Sequence, residues 1–205
     1  MMNITIRRVG VEQASEVCRI MQVAFEEYRG RLVPPSGALT ETIEEVREAI
    51  SGGGACLAFV GDVAVGSARY RLFPDHAYAE RVAVVPDYRG KGVAVALMAA
   101  FEEAVQTLGV LEARVGVRAS LPSNLRFYER LGYRALTSRP YPTGTDVDIT
   151  LSKSLKAEPG GHAGGTAAQP PTAAAGGPAV LRGVVAPSAV GGGAAPAAEP
   201  ERWAY

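Results

Sequence analysis

The order of strand-like and helix-like segments predicts an α/β (α+β) domain over residues 1–156, followed by a disordered tail over residues 157–205. Three observations carry this expectation. Short apolar segments with a period of two alternate with longer segments of helical period. One junction, Val82-Ala83-Val84-Val85-Pro86 running into Arg89-Gly90-Lys91-Gly92-Val93-Ala94, has the form of a strand, a glycine loop and a helix start. Past residue 156 the composition changes abruptly: Gly, Pro and Ala fill 32 of the 49 remaining positions. A segment so poor in large apolar side chains buries too little surface to offset its chain entropy.

Asn3 to Val9 reads as a first strand, and Glu12 to Tyr28 as a helix with Ala14, Val17, Cys18, Met21, Phe25 and Tyr28 on one stripe. A long loop from Arg29 to Leu39 contains Pro34 and Pro35. Thr40 to Ile50 reads as a second helix, with Thr40 as N-cap and Ile43, Val46 and Ile50 on one face. Ala55–Val60 and Ala64–Phe73 flank Gly61-Asp62 and read as a hairpin. Tyr78 to Val85 is the next strand. Gly92 to Leu108 reads as a helix that buries Val93, Leu97, Ala100, Phe101, Ala104 and Leu108. Leu111, Ala113, Val115 and Val117 alternate as a strand. Pro122 to Leu131 is a short helix with proline in its first turn and Gly132 as its cap. Strands near Tyr133–Thr137 and Asp146–Leu151 close the domain.

The junction at Arg89–Ala94 suits an anionic phosphate group. The first amides of a helix lack internal partners, and the helix dipole adds positive potential there. Gly90 and Gly92 let backbone approach a ligand, and Arg89 and Lys91 add mobile positive charge. It is not a P-loop, because Gly92 follows Lys91 where a Ser or Thr is required. It is not a dinucleotide fingerprint either, because Val95 occupies the third glycine position.

The remaining pattern, Arg89-x-x-Gly92-x-Ala94, resembles the acyl-CoA pyrophosphate loop of the GNAT superfamily of N-acyltransferases. Asn124-Leu125-Arg126-Phe127-Tyr128-Glu129-Arg130-Leu131-Gly132-Tyr133 is similar to the family's later motif, a short Phe-Tyr helix ending at a glycine. The order of segments over residues 1–155 also resembles a complete domain of this family. The resemblance implies a mixed, mostly antiparallel sheet with splayed central strands and helices on both faces. It implies acetyl-CoA as co-substrate, with Val82 and Val84 offering main-chain groups to its pantetheine arm. The backbone of Arg89, Gly90, Lys91, Gly92, Val93 and Ala94 would hold the pyrophosphate. Tyr128 matches the tyrosine that protonates the departing thiolate, a role suited to a phenol that is neutral at pH 7.

Three assignments stay more open. The chain lacks the asparagine that many members carry seven or eight residues before the tyrosine, where Leu121 and Ser120 stand; Asn124 is the nearby substitute. The base that frees the attacking amine is assigned to Glu80, with His76 as the alternative. In an unbulged strand His76, Tyr78 and Glu80 share a face with Val82 and Val84. The acceptor is expected near the Arg29–Leu39 loop, with Tyr28, Arg31 and Ser36 as contacts, and Pro34, Tyr70 and Arg71 nearby. It is an amine on a small molecule or a peptide. The competing reading is a non-catalytic acyl-CoA sensor or interaction module.

Composition excludes other classes. Lys and Arg total 21, as do Asp and Glu, so nothing favours nucleic acid. No apolar run reaches the roughly 18 residues of a membrane span, and the first residues carry no signal-peptide core. A cytoplasmic location with Cys18 and Cys56 reduced is expected. Neither cysteine has a partner at metal-ligand spacing, so no metal is expected.

Overall fold

The computed structural model describes residues 2–156. The expected tail and the domain boundary before it lie outside those residues. The elements are β1 (Ile4–Val9), α1 (Ala14–Phe25), α2 (Ile43–Ser51), β2 (Gly53–Val60), β3 (Val63–Leu72), β4 (Ala77–Val84), α3 (Val93–Thr107), β5 (Glu112–Arg118), α4 (Pro122–Arg130), β6 (Arg134–Pro140) and β7 (Val147–Ser154). The strands form one seven-stranded sheet in the order β1-β2-β3-β4-β5-β7-β6. Every neighbouring pair is antiparallel except β4 and β5, which run parallel.

Alternation along the strands sends side chains to two different cores. Ala55 and Leu57 of β2 pack with Val17, Met21, Val46 and Ile50 of α1 and α2. Cys56 and Ala58 face the other way, onto Val93 and Leu97 of α3. Farther along the sheet, Ala113, Val115 and Val117 of β5 pack against Met98 and Phe101, with Leu125, Phe127 and Tyr128 of α4 at the margin. Helices therefore cover both faces, as the sequence predicts.

Two helix details differ from expectation. The N-cap of α2 is Thr42, not Thr40. Thr42 Oγ1 accepts from the Glu45 amide at 3.2 Å, and Glu45 Oε2 accepts from the Thr42 amide at 2.7 Å. This reciprocal box satisfies two amides, whereas Thr40 ends a preceding 3₁₀ turn at Gly37–Leu39. Leu108 is 60% exposed, because α3 stops at Thr107 and Leu108 falls in its cap; Met98 and Val105 fill the core instead.

The position of the site follows from how β4 and β5 meet. They pair at only three positions, Ala77 with Ala113, Tyr78 with Arg114 and Ala79 with Val115. Beyond these, β4 continues against β3 and β5 continues against β7. The sheet opens into a fork whose first residues are Glu80 on one side and Gly116 on the other.

Candidate active site

Val85 N–H donates to Val65 O on β3 at 2.9 Å. Successive residues of a strand turn their main-chain groups to opposite edges, so Val84 presents its own to the fork, and Val82 does likewise. The Val84 carbonyl is already taken, by Arg89 Nε at 3.0 Å. Its N–H is the group left for a ligand.

At the fork's end the chain makes a 3₁₀ turn at Pro86–Tyr88 and enters α3. Gly90 and Gly92 both have left-handed backbone, at φ +70° and +87°, the reason glycine stands at each. The first α3 amide bonded inside the helix is that of Ala96, to Gly92 O. The amides of Val93, Ala94 and Val95 therefore point out of the helix start. A β-carbon at Gly90 would meet nothing within 4 Å, and one at Gly92 only Ile4 Cδ1 at 4.0 Å. The loop thus has open space in front of it, as an anion cradle needs.

Arg89 differs from the sequence expectation in both its parts. Its amide donates to Pro86 O at 3.1 Å and closes the 3₁₀ turn, so it is not among the free donors. Its side chain is not mobile. Besides Val84 O, it donates to Ala24 O at 2.9 Å and pairs with Glu27 at 2.8 Å. Arg89 ties the loop to the end of α1, while exposed Lys91 donates to Asp87 O at 2.7 Å.

On α4, Tyr128 is half-buried, with edge-to-face contacts to Phe127 at 5.0 Å and Tyr133 at 5.8 Å. Burial, with the Tyr28 phenol nearby, holds its hydroxyl well above the usual phenol range, so it keeps its proton. Tyr28 reaches α4 from the end of α1. Burial raises its own hydroxyl, and a hydrogen bond with Asn124 partly offsets that. The structure thus brings Tyr28, Asn124 and Tyr128 together. Arg31 turns back to Glu27 O at 3.4 Å, and Ser36 is buried in its loop.

Glu80 does not share a face with Val82 and Val84. The β3–β4 register shifts between Ser67 and Arg69, and Arg81 takes a left-handed φ of +50°. This bulge inserts a residue and reverses the alternation. Val82 and Val84 pack toward α3, while Glu80 lies on the α1/α2 face beside Arg69 and Arg71. Arg71 Nε sits 2.7 Å from Glu80 Oε1, and Arg69 Nη2 3.6 Å from Oε2. Arg69 is 2% exposed and also pairs with Glu41, which holds Arg81 as well. His76 lies at the far end of β4, buried, stacked on Phe73 and bonded to Asp75 at 2.7 Å. It lies four positions from Glu80, roughly 13 Å along a strand.

A group absent from the sequence reading occupies the other arm of the fork. Asp148 of β7 stands opposite Arg118 of β5 and Arg139 of β6. A β-carbon at Gly116 would overlap the Tyr78 hydroxyl and come within 3.3 Å of Asp148 Oδ1. Tyr78 therefore crosses β5 where glycine leaves room. Arg118 donates to Pro34 O at 2.8 Å and lies 4.5 Å over the Tyr141 ring. The proline loop is fastened above the fork on this side. Among the described residues no group of His, Cys, Asp and Glu is arranged to hold a metal. No helix there is long and apolar enough to cross a membrane.

A parallel pair thus opens beside a glycine-led helix start, with a tyrosine on the next helix. The model of the Acetyltransferase (GNAT) family matches residues 17–133, more than half of the chain. The chain belongs to this family of acetyltransferases. Its fold is similar to the ribosomal-protein-S18-alanine N-acetyltransferase of Escherichia coli (TM-score 0.62, 20% identity, covering 76% of this chain and 96% of that one). It is similar to Ard1 of Thermoplasma volcanium (0.62, 22%, 75% and 99%). It also resembles the PaiA N-acetyltransferase of Thermoplasma acidophilum, solved with coenzyme A (0.61, 18%, 73% and 98%). No curated protein matches the sequence.

Proposed function

We propose that this chain moves an acetyl group from acetyl-CoA to a primary amine on a small molecule or peptide, by direct attack. The observation that carries the reading is the fork itself. Main-chain groups of Val82 and Val84 line one edge, the outward amides at the start of α3 lie at its end, and Tyr128 stands on α4. The pantetheine arm would lie along Val82 and Val84, with the pyrophosphate on the amides from Gly90 to Ala94.

The Val84 N–H would hold the oxygen of the tetrahedral intermediate; that its carbonyl accepts from Arg89 Nε leaves the N–H as the donor for this role. Tyr128 gives its proton to the departing sulfur. Cys18 and Cys56 are both buried, and burial raises their thiols, that of Cys56 to about 11, which disfavours a thiolate nucleophile. Direct attack is the simpler route. On the acceptor side, the buried Arg69 Nε and Nη1 and Ser67 Oγ have no hydrogen-bond partner among the described residues. Such atoms call for ordered water or a polar substrate group.

The test is to incubate the protein with acetyl-CoA and a panel of primary amines and to follow free thiol. Amine-dependent thiol release is expected. Tight acetyl-CoA binding with no release over the panel would instead support a sensor of the cofactor.

A further inference from the structure

Two carboxylates flank the opening of the fork, and their surroundings differ. Glu80 is ion-paired with two guanidinium groups, Arg71 at 2.7 Å and Arg69 at 3.6 Å, and its Oε2 accepts a hydrogen bond from Arg71 Nη2 at 3.3 Å. Asp148 lies over Gly116, the first β5 residue past the last β4–β5 pair, beside the Tyr78 hydroxyl. Gly116 takes an outward position of β5, and the Tyr78 hydroxyl fills the space a side chain there would need. Tyr141 and the Arg118 it stacks with close the side toward the β6–β7 turn, and the proline loop lies beyond.

From this geometry, and resting on the acetyltransferase reading above, we infer that Asp148, not Glu80, takes the proton from the acceptor ammonium. Tyr78 and Tyr141 are the aromatic neighbours of Asp148 on its two sides. The step balances as follows. The ammonium gives one proton to the Asp148 carboxylate, and the nitrogen lone pair forms the C–N bond at the thioester carbon. The tetrahedral intermediate expels the sulfur, which takes the Tyr128 proton. The second proton lost by nitrogen returns through water to Tyr128, and Asp148 gives its proton to solvent between turnovers.

The charges around Asp148 support the role. Burial pushes its carboxyl up to about 6; Arg118 on β5 and Arg139 on β6 oppose the shift, and Asp146 in the preceding turn adds to it. Tyr78 faces it from β4. Asp146 is the contrasting neighbour. Despite its burial, donors from Ser120 and the Val147 amide hold it below the ordinary range. A base poised just below neutrality accepts a proton and still releases it.

The stability effect has a definite sign. The folded value lies above the ordinary 3.8, so the fold holds this proton more tightly than the unfolded chain does. The stability contributed by the group is full below about 3.8 and is lost as pH rises to about 6. Above that, the folded chain carries a buried charge, and Asp148→Asn should melt higher than wild type.

The experiment uses acetyl-CoA with ethylamine and with 2,2,2-trifluoroethylamine, whose ammonium is far more acidic. The wild-type kcat/KM should bend near pH 6, and Glu80→Gln should keep that bend. Asp148→Asn should lose the bend and fall roughly 100-fold on ethylamine at neutral pH. On trifluoroethylamine, already neutral there, it should stay near wild type, with acetyl-CoA affinity unchanged. Carbon NMR of the wild-type carboxyl groups should show one titrating near 6. An Asp148→Asn enzyme with wild-type rate and bend on ethylamine would overturn the assignment, as would no carboxyl titrating there. A wild type that binds acetyl-CoA and acetylates no amine overturns the parent reading, and this role with it.

Discussion

Gly92→Asp should weaken acetyl-CoA binding by at least about 100-fold while leaving the fold intact, because like charges brought together cost several kcal/mol. The backbone at Gly92 is left-handed, a conformation Asp and Asn tolerate better than other residues. Space is not limiting, since the new β-carbon would meet only Ile4 Cδ1 at 4.0 Å. Gly92 is also the N-cap of α3, and aspartate is a favourable N-cap. The same substitution therefore caps the helix and occupies the amides meant for phosphate. Gly92→Asn is the control. It carries the same backbone cost and similar size without the charge, and calorimetry should show a much smaller loss. Wild-type affinity in Gly92→Asp would remove the pyrophosphate from this loop.

Tyr128→Phe should lower kcat roughly 100-fold, within the range of one general acid, with little change in KM. The ring contacts with Phe127 and Tyr133 survive, so the melting temperature should hold. The loss should fall on kcat because the hydroxyl acts when charge develops on sulfur. A thioester whose thiol is more acidic should lose less. A purely packing role for Tyr128 gives the reverse: lower melting temperature with kcat per folded molecule intact. Measuring both on one preparation separates the two.

Most of the frame was legible in the residues because it rests on local patterns. Alternation set the strands, glycine set the start of α3, proline and glycine set the ends of α4, and the glycine loop lies beside the end of β4. The N-cap of α2 was readable too: Thr42-Ile43-Glu44-Glu45 is a capping-box pattern, which Thr40 lacks. The bulge at Arg81 was not readable, since a left-handed residue that is not glycine leaves no mark in a sequence. It moved Glu80 to the other face.

Asp148 was hidden for a different reason. Its burial comes from β5, β6 and Tyr78, all distant in sequence, and on an alternating strand it reads as a solvent-facing charge. The one available signal was Gly116, a glycine inside an otherwise regular strand. Arg89 shows the same limit. Its place in the loop motif was evident, but its bonds to Ala24 and Glu27 depend on how α1 ends against the fork.

The most direct test of the central claim is a quenched single turnover with acetyl-CoA labelled in the acetyl group. Protein in excess over acetyl-CoA is mixed with and without an amine that supports thiol release. Protein and small molecules are then separated and weighed by mass spectrometry. Direct transfer predicts label on the amine, one free thiol for each acetyl moved, and no acetylated protein at any time point. Without amine, the thioester should remain intact. Label that first appears on the protein and then passes to the amine would contradict direct attack at the fork.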